Sequence, residues 1–95
     1  MPKQPARKDV SEAVIKVIQG WHFDTLITEE TDFEIDIPID RKAKSLYYYA
    51  IRLKLEKLGY DFTDFKPEDC EEARTIGDIV DSVWADINPA SNRIV

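Results

Sequence analysis

The chain has 95 residues, a formal net charge of −6, 43% hydrophobic and 34% charged residues, which excludes intrinsic disorder and allows one small core. Its single cysteine, Cys70, excludes an internal disulfide, and one histidine leaves no cysteine–histidine metal spacing, so a reducing, cytoplasmic setting is expected. No stretch is long and apolar enough to span a bilayer.

Met1–Lys8, with two prolines and three basic residues, reads as a flexible arm, and with no apolar run after it, as neither signal peptide nor anchor. Asp9 and Glu12 have capping-box spacing, and Val10, Val14, Val17, Ile18 and Trp21 recur at helical spacing. They predict a first helix over Asp9–Gln19, ended by Gly20. The following loop, Trp21–Ile39, holds Trp21, Phe23, Leu26, Ile27, Phe33, Ile35, Ile37 and Ile39, too many apolar residues for a solvated linker. It is expected to be ordered, with Trp21 and Phe33 packed on the core. The alternation Phe33, Ile35, Ile37, Ile39 also permits a short strand, although no second strand is evident to pair with it.

The longest helical pattern runs over Arg41–Leu58, with Asp40 as N-cap and Gly59 placed for a left-handed C-terminal cap. Ala43, Leu46, Tyr47, Ala50, Ile51 and Leu58 form its apolar face, flanked by Leu53 and Leu55; Lys54 interrupts the stripe. Arg41, Ser45, Arg52 and Glu56 lie opposite, with Tyr48 and Tyr49 at the edges. Asp61–Lys66 is a turn whose Phe62 and Phe65 fold back, and Pro67 opens a short helix over Pro67–Ala73. Thr75 and Asp78 repeat the capping-box spacing before Ile76, Ile79, Val80, Val83 and Ile87, predicting a last helix over Ile76–Ile87 that Asn88-Pro89 stops. The expected architecture is all-α: three main helices, one short helix and a long ordered first loop. The domain spans residues 9–88, between the arm and a flexible tail over 89–95.

The charge is unevenly placed. The long helix carries Arg41, Lys42, Lys44, Arg52, Lys54 and Lys57 against one acid, Glu56, on an otherwise acidic chain. Three successive tyrosines cannot share one helix face, since neighbours lie about 100° apart. With Tyr47 inward, Tyr48 and Tyr49 stand beside Arg41, Lys44 and Arg52. Exposed tyrosine with arginine is the composition of interface hot spots, so this patch is a candidate partner-binding site for a protein with an acidic face. It also suits stacking on nucleic-acid bases or holding an anion, but the acidity of the whole chain opposes a polyanion.

Other reactive residues read as structural. His22 has no nucleophile or carboxylate at a recognisable spacing. Cys70 lies among Glu68, Asp69, Glu71 and Glu72, which raise a thiol pKa, and it reads as a packing residue. That acidic run lacks the spaced ligands and glycine of a calcium loop. No catalytic constellation assembles, so the chain reads as a non-enzyme, without metal.

Two segments resemble the acyl carrier proteins. Leu26–Asp40 is similar to their first loop, which leads into D-L-G-x-D-S-L; Asp36-Ile37-Pro38-Ile39-Asp40-Arg41-Lys42 occupies that motif without a gap. Thr75-Ile-Gly-Asp-Ile-Val-Asp-Ser-Val83 is similar to the T-V-G-D-x-x-x-x-I that opens the family's last helix. The resemblance covers roughly Asp9–Ile87 and implies a carrier-protein-like bundle. Carrier proteins attach 4′-phosphopantetheine to the serine after the second aspartate. Arg41 stands there, and a guanidinium has no hydroxyl to accept the phosphoryl group. Ser45, one helical turn later and followed by Leu46, is the alternative attachment point. The segment between the two motifs is longer than in the family. The family's second helix is acidic where this one is basic, which implies different partners. The resemblance thus implies a non-catalytic, carrier-like binding module without the arm. A divergent carrier modified on Ser45 is the alternative, and a small nucleic-acid- or anion-binding protein the third.

Overall fold

A computed structural model describes residues 6–92, and among them the chain forms four helices: α1 (Arg7–Gln19), α2 (Arg41–Lys57), α3 (Pro67–Glu71) and α4 (Ile76–Asn92). None is long and apolar enough to cross a membrane. The first helix starts two residues before the expected Asp9. Ala6 is its N-cap, without a side-chain hydrogen bond, and Asp9 sits inside the first turn. Arg7 draws the start forward. Its guanidinium donates to both carboxylate oxygens of Glu29 (2.9 Å each) and to Asp81 (2.6 Å), tying α1 to the loop and to α4. Arg7 and Lys8 therefore belong to the helix and not to an arm; the rest of the expected arm, residues 1–5, lies outside the described residues.

The caps of α2 follow the sequence. Asp40 accepts from the Ala43 amide (2.7 Å), and Gly59 takes a φ of +97°, a left-handed conformation that glycine adopts without steric cost. Pro67 occupies the first turn of α3, where Asp69 accepts from the Lys66 amide (3.0 Å). At α4 the Thr75–Asp78 capping box is formed: Thr75 Oγ1 accepts from the Asp78 amide (3.2 Å), and Asp78 accepts from the Thr75 amide (3.1 Å). Asn88-Pro89 does not stop this helix, which runs to Asn92. Proline removes its own donor and strains one turn, but the residues after it keep their helical donors. Residues 89–92 of the expected tail are thus helical, and 93–95 lie outside the described residues.

The long loop between α1 and α2 is anchored along its length. Gln19 holds its start, donating to the carbonyls of His22 (2.7 Å) and Thr25 (2.8 Å) and accepting from the Ile27 amide (3.0 Å). Its middle meets the start of α4. Helix N-termini leave amides without intrahelical partners, and here Ile76 and Gly77 donate to Thr31 (3.1 Å) and Glu29 (2.7 Å), while Phe33 donates to Arg74 (2.9 Å). A Cβ at Gly77, the second residue of α4, would sit 3.1 Å from the Glu29 carbonyl, tighter than ordinary van der Waals contact. Asp32 accepts from the amides of Glu34 and Ile35, so residues 33–36 turn and form no strand; pairing is limited to an isolated bridge between Asp32 and Thr75. Ile27, Phe33 and Ile37 point inward and are buried, whereas Phe23, Leu26 and Ile35 are exposed. Trp21 is 48% exposed yet stacks on Tyr47 with ring centroids 4.9 Å apart.

The core joins Val10, Val14 and Ile18 of α1, Tyr47, Ile51 and Leu55 of α2, and Ile76, Ile79, Val80 and Val83 of α4. One buried charge organises its far end. Asp86 on α4 accepts from the amides of Thr63 (2.9 Å), Asp64 (3.0 Å) and Phe65 (3.0 Å) and from the Thr63 hydroxyl (2.8 Å), which fixes the α2–α3 loop and seats Phe65 in the core. Burial alone would raise the Asp86 carboxyl. The Phe65 amide and then the Thr63 and Asp64 donors outweigh it and hold the group below its ordinary value of 3.8. A depressed folded-state pKa contributes stability above the unfolded value and loses it as pH falls through the folded one. Acid titration of the wild type should therefore show stability declining below about pH 4. Asp86→Asn, monitored by urea unfolding, should cost about 1–3 kcal/mol at neutral pH and flatten that acid limb.

Candidate functional site

Helix α2 has two apolar faces. The inward one is built from Tyr47, Tyr48, Ile51 and Leu55, all buried. Tyr47 is its centre. The ring lies between Trp21 and Phe33, and the hydroxyl meets His22 Nε2 at 2.6 Å; burial pushes its pKa up to about 12. Tyr48 packs against Phe65 at 4.9 Å between centroids, and its hydroxyl accepts from Arg52 Nη1 (2.6 Å).

This burial corrects the expected orientation of the helix. Tyr48 is 6% exposed and contributes little aromatic surface. The reason is tertiary. The loop after α2 and helix α3 cover the flank where Tyr48 projects, and that cover comes from residues ten and more positions away. The inward face is turned accordingly, and Leu46, assigned to the core from the sequence, points outward with Leu53 and Leu58.

The cations of the expected patch are engaged within the chain. Arg41 is 3.3 Å from Glu71 and 3.6 Å from Glu72, bridging α2 to the end of α3. Lys44 donates to the Ala73 carbonyl (2.8 Å) and lies over the Phe33 ring at 5.2 Å. Arg52 donates to Glu56 (2.9 Å) as well as to Tyr48. Ser45 is half-buried and its hydroxyl donates to the Lys42 carbonyl (2.6 Å), a local bond typical of serine inside a helix. The structure therefore spreads Arg41, Lys44, Tyr48, Tyr49 and Arg52 over two sides of α2 and leaves only Tyr49 among them as exposed aromatic surface.

A different constellation takes the outward pole. Leu46, Tyr49 and Leu53 are 60%, 61% and 55% exposed, at positions i, i+3 and i+7, with Ala50 between them. Lys42 and Lys57 lie on the same pole at its two ends, and both are exposed. Alongside runs an open groove of about 610 Å³, lined by Tyr48, Tyr49, Arg52, Leu53, Glu56 and Pro67. The sequence carries the signal for this row, since Leu46, Tyr49, Ala50 and Leu53 share a helix face, but the same leucines also fit a core-facing stripe. Cys70 is fully buried, with its thiol pushed up to about 12 by burial first and Asp69 next, in keeping with a packing role.

Comparison with protein-family models, with curated proteins and with solved structures finds no match to this chain.

The two neighbouring tyrosines should separate in a stability assay. Tyr48→Ala is expected to cost about 2–4 kcal/mol in chemical denaturation, because it empties a packed site and removes one of the two acceptors of Arg52. Tyr49→Ala should stay within about 0.5 kcal/mol of the wild type.

Proposed function

We propose that the chain is a non-catalytic, acyl-carrier-protein-like binding module that carries no phosphopantetheine arm and engages a protein partner through α2. The observation that carries this reading is the outward row Leu46, Tyr49, Leu53, on a helix whose opposite face is already committed to the core. A helix apolar on two faces covers both in its working state. Folding uses one of them.

The helix order, the long ordered loop, Asp40 at the start of α2 and the Thr75–Asp78 start of α4 support the carrier-like scaffold. At the position where the family bears its attachment serine, Arg41 is paired with Glu71 and Glu72 and does structural work between α2 and α3. The basic character of α2 supports a partner unlike those of acidic carrier helices. Modification at Ser45 is the rival reading. It requires a hydroxyl that is here bonded to the Lys42 carbonyl, one turn inside the helix.

Incubation with a broad-specificity phosphopantetheinyl transferase and coenzyme A should leave the intact mass unchanged. A gain of one arm, abolished by Ser45→Ala, would make the protein a carrier. In extracts of the native cell, a bound protein should be lost with Leu46→Asp, Leu53→Asp. Nuclease-sensitive co-purification, lost with Arg41→Glu, Arg52→Glu, would make it a nucleic-acid binder.

A further inference from the structure

The outward pole of α2 has a definite chemical form. Its apolar positions are spaced three and then four residues apart, which is the seam spacing of one helix laid along another. The groove between Tyr49, Leu53 and Pro67 gives that seam a recessed flank. Glu56, the one acid of the helix, is held by Arg52 at 2.9 Å. Lys42, Lys54 and Lys57 have no carboxylate within 4 Å among the described residues. The free charge around the apolar row is therefore positive at both ends.

That charge decides the occupant. In an antiparallel pair of two α2 helices centred between Tyr49 and Ala50, Leu46 would face Leu53 of the other copy, a good apolar match. The same register sets Lys42 against the other copy's Lys57 at both ends. A parallel pair sets Lys42 against Lys42 and Lys57 against Lys57. Either way, desolvated like charges flank a short apolar seam, and self-pairing is opposed. A helix with carboxylates beside its apolar stripe meets no such penalty. It turns the same lysines into attractive contacts and steers its own approach.

We infer that the row Leu46–Tyr49–Leu53, with its groove to Pro67 and its flanking Lys42, Lys54 and Lys57, is a docking site for an acidic amphipathic helix of another protein. This rests on the reading of α2 as the docking element and adds the chemical class of what docks. The partner helix supplies two or three large apolar residues at seam spacing, and glutamate or aspartate at the positions beside them. Tyr49 is the anchor at the centre of the row, with Leu46 and Leu53 on either side of it. The α2 surface is presented ready-made, since Asp40 and Gly59 cap the helix and the buried Tyr47 and Tyr48 fix its rotation.

The test uses the full chain and two synthetic three-heptad peptides with leucine at the seam positions, one flanked by glutamate and the other by lysine. Fluorescence anisotropy at low salt should show binding of the glutamate peptide and none of the lysine peptide, with affinity falling as salt rises. Tyr49→Ala should weaken binding roughly thirtyfold. Lys42→Glu, Lys57→Glu should lose about tenfold for the glutamate peptide and gain binding to the lysine peptide. Thermal melts of both variants should match the wild type, so that a loss reports the surface and not the fold. Equal binding of the two peptides, with sensitivity to Leu46→Asp, would overturn the acidic class of partner while leaving α2 as the docking element. Binding of neither peptide would overturn this inference. A sedimenting dimer that Leu46→Asp dissociates would overturn it in favour of a second copy. If the bound protein captured from extracts is insensitive to every α2 substitution, the reading of α2 as the docking element falls with it.

Discussion

The burial of two consecutive tyrosines on α2 is the constraint on which the rest of the molecule depends. Tyr47 and Tyr48 project about 100° apart, so both can be buried only if two different parts of the chain cover the helix. The long first loop covers Tyr47 through Trp21, Phe33 and His22; the α2–α3 loop covers Tyr48 through Phe65. Once both are inside, the rotation of α2 is fixed. The residues diametrically opposite, Leu46, Tyr49 and Leu53, are then left more than half exposed among the described residues. Packing and candidate interface are two consequences of one orientation.

The two covering loops need their own anchors, and α4 supplies one to each, with Gln19 of α1 holding the start of the first. The first loop's carbonyls at Glu29 and Thr31 accept from amides that the start of α4 leaves unpaired within the helix. The second wraps three amides and a hydroxyl around the Asp86 carboxylate. A buried carboxylate is costly unless its oxygens are satisfied, and this one is satisfied by the segment it positions. Arg7 adds a surface strap, bridging α1 to Glu29 and Asp81. At about a third exposure such a pair contributes little alone, but its bidentate geometry sets where α1 begins.

Charge is sorted along the same lines. The cations of α2 that face neighbouring elements are engaged by carboxylates of α3 or by carbonyls, as Arg41 and Lys44 are. Those at the outward pole are left to solvent. A surface that is apolar in its middle and basic at its rim follows from that sorting, and it is the physical basis of the proposal that an acidic helix docks there. The same sorting gives Arg41 a structural role, tying α2 to Glu71 and Glu72 at the end of α3.

The sequence by itself determined the helices and most of their caps. Periodicity, Asp40, Gly59, Pro67 and the Thr75–Asp78 pair are local signals, read from residues within a turn of one another. The content of the first loop was legible too, since its apolar residues needed a core to cover. The start of α1 was missed because Arg7 acts through partners 22 and 74 residues away, and the end of α4 because proline weakens a helix without always ending it. What only the tertiary structure decided is which way α2 faces. Its pattern is apolar nearly all round, with Leu46, Leu53 and Leu58 as suited to a core as Ile51 and Leu55. A helical wheel ranks faces by composition, whereas burial depends on what the remainder of the chain brings to each face. The loop that carries Phe65, held in place by Asp86, brings cover to Tyr48 and none to Leu46.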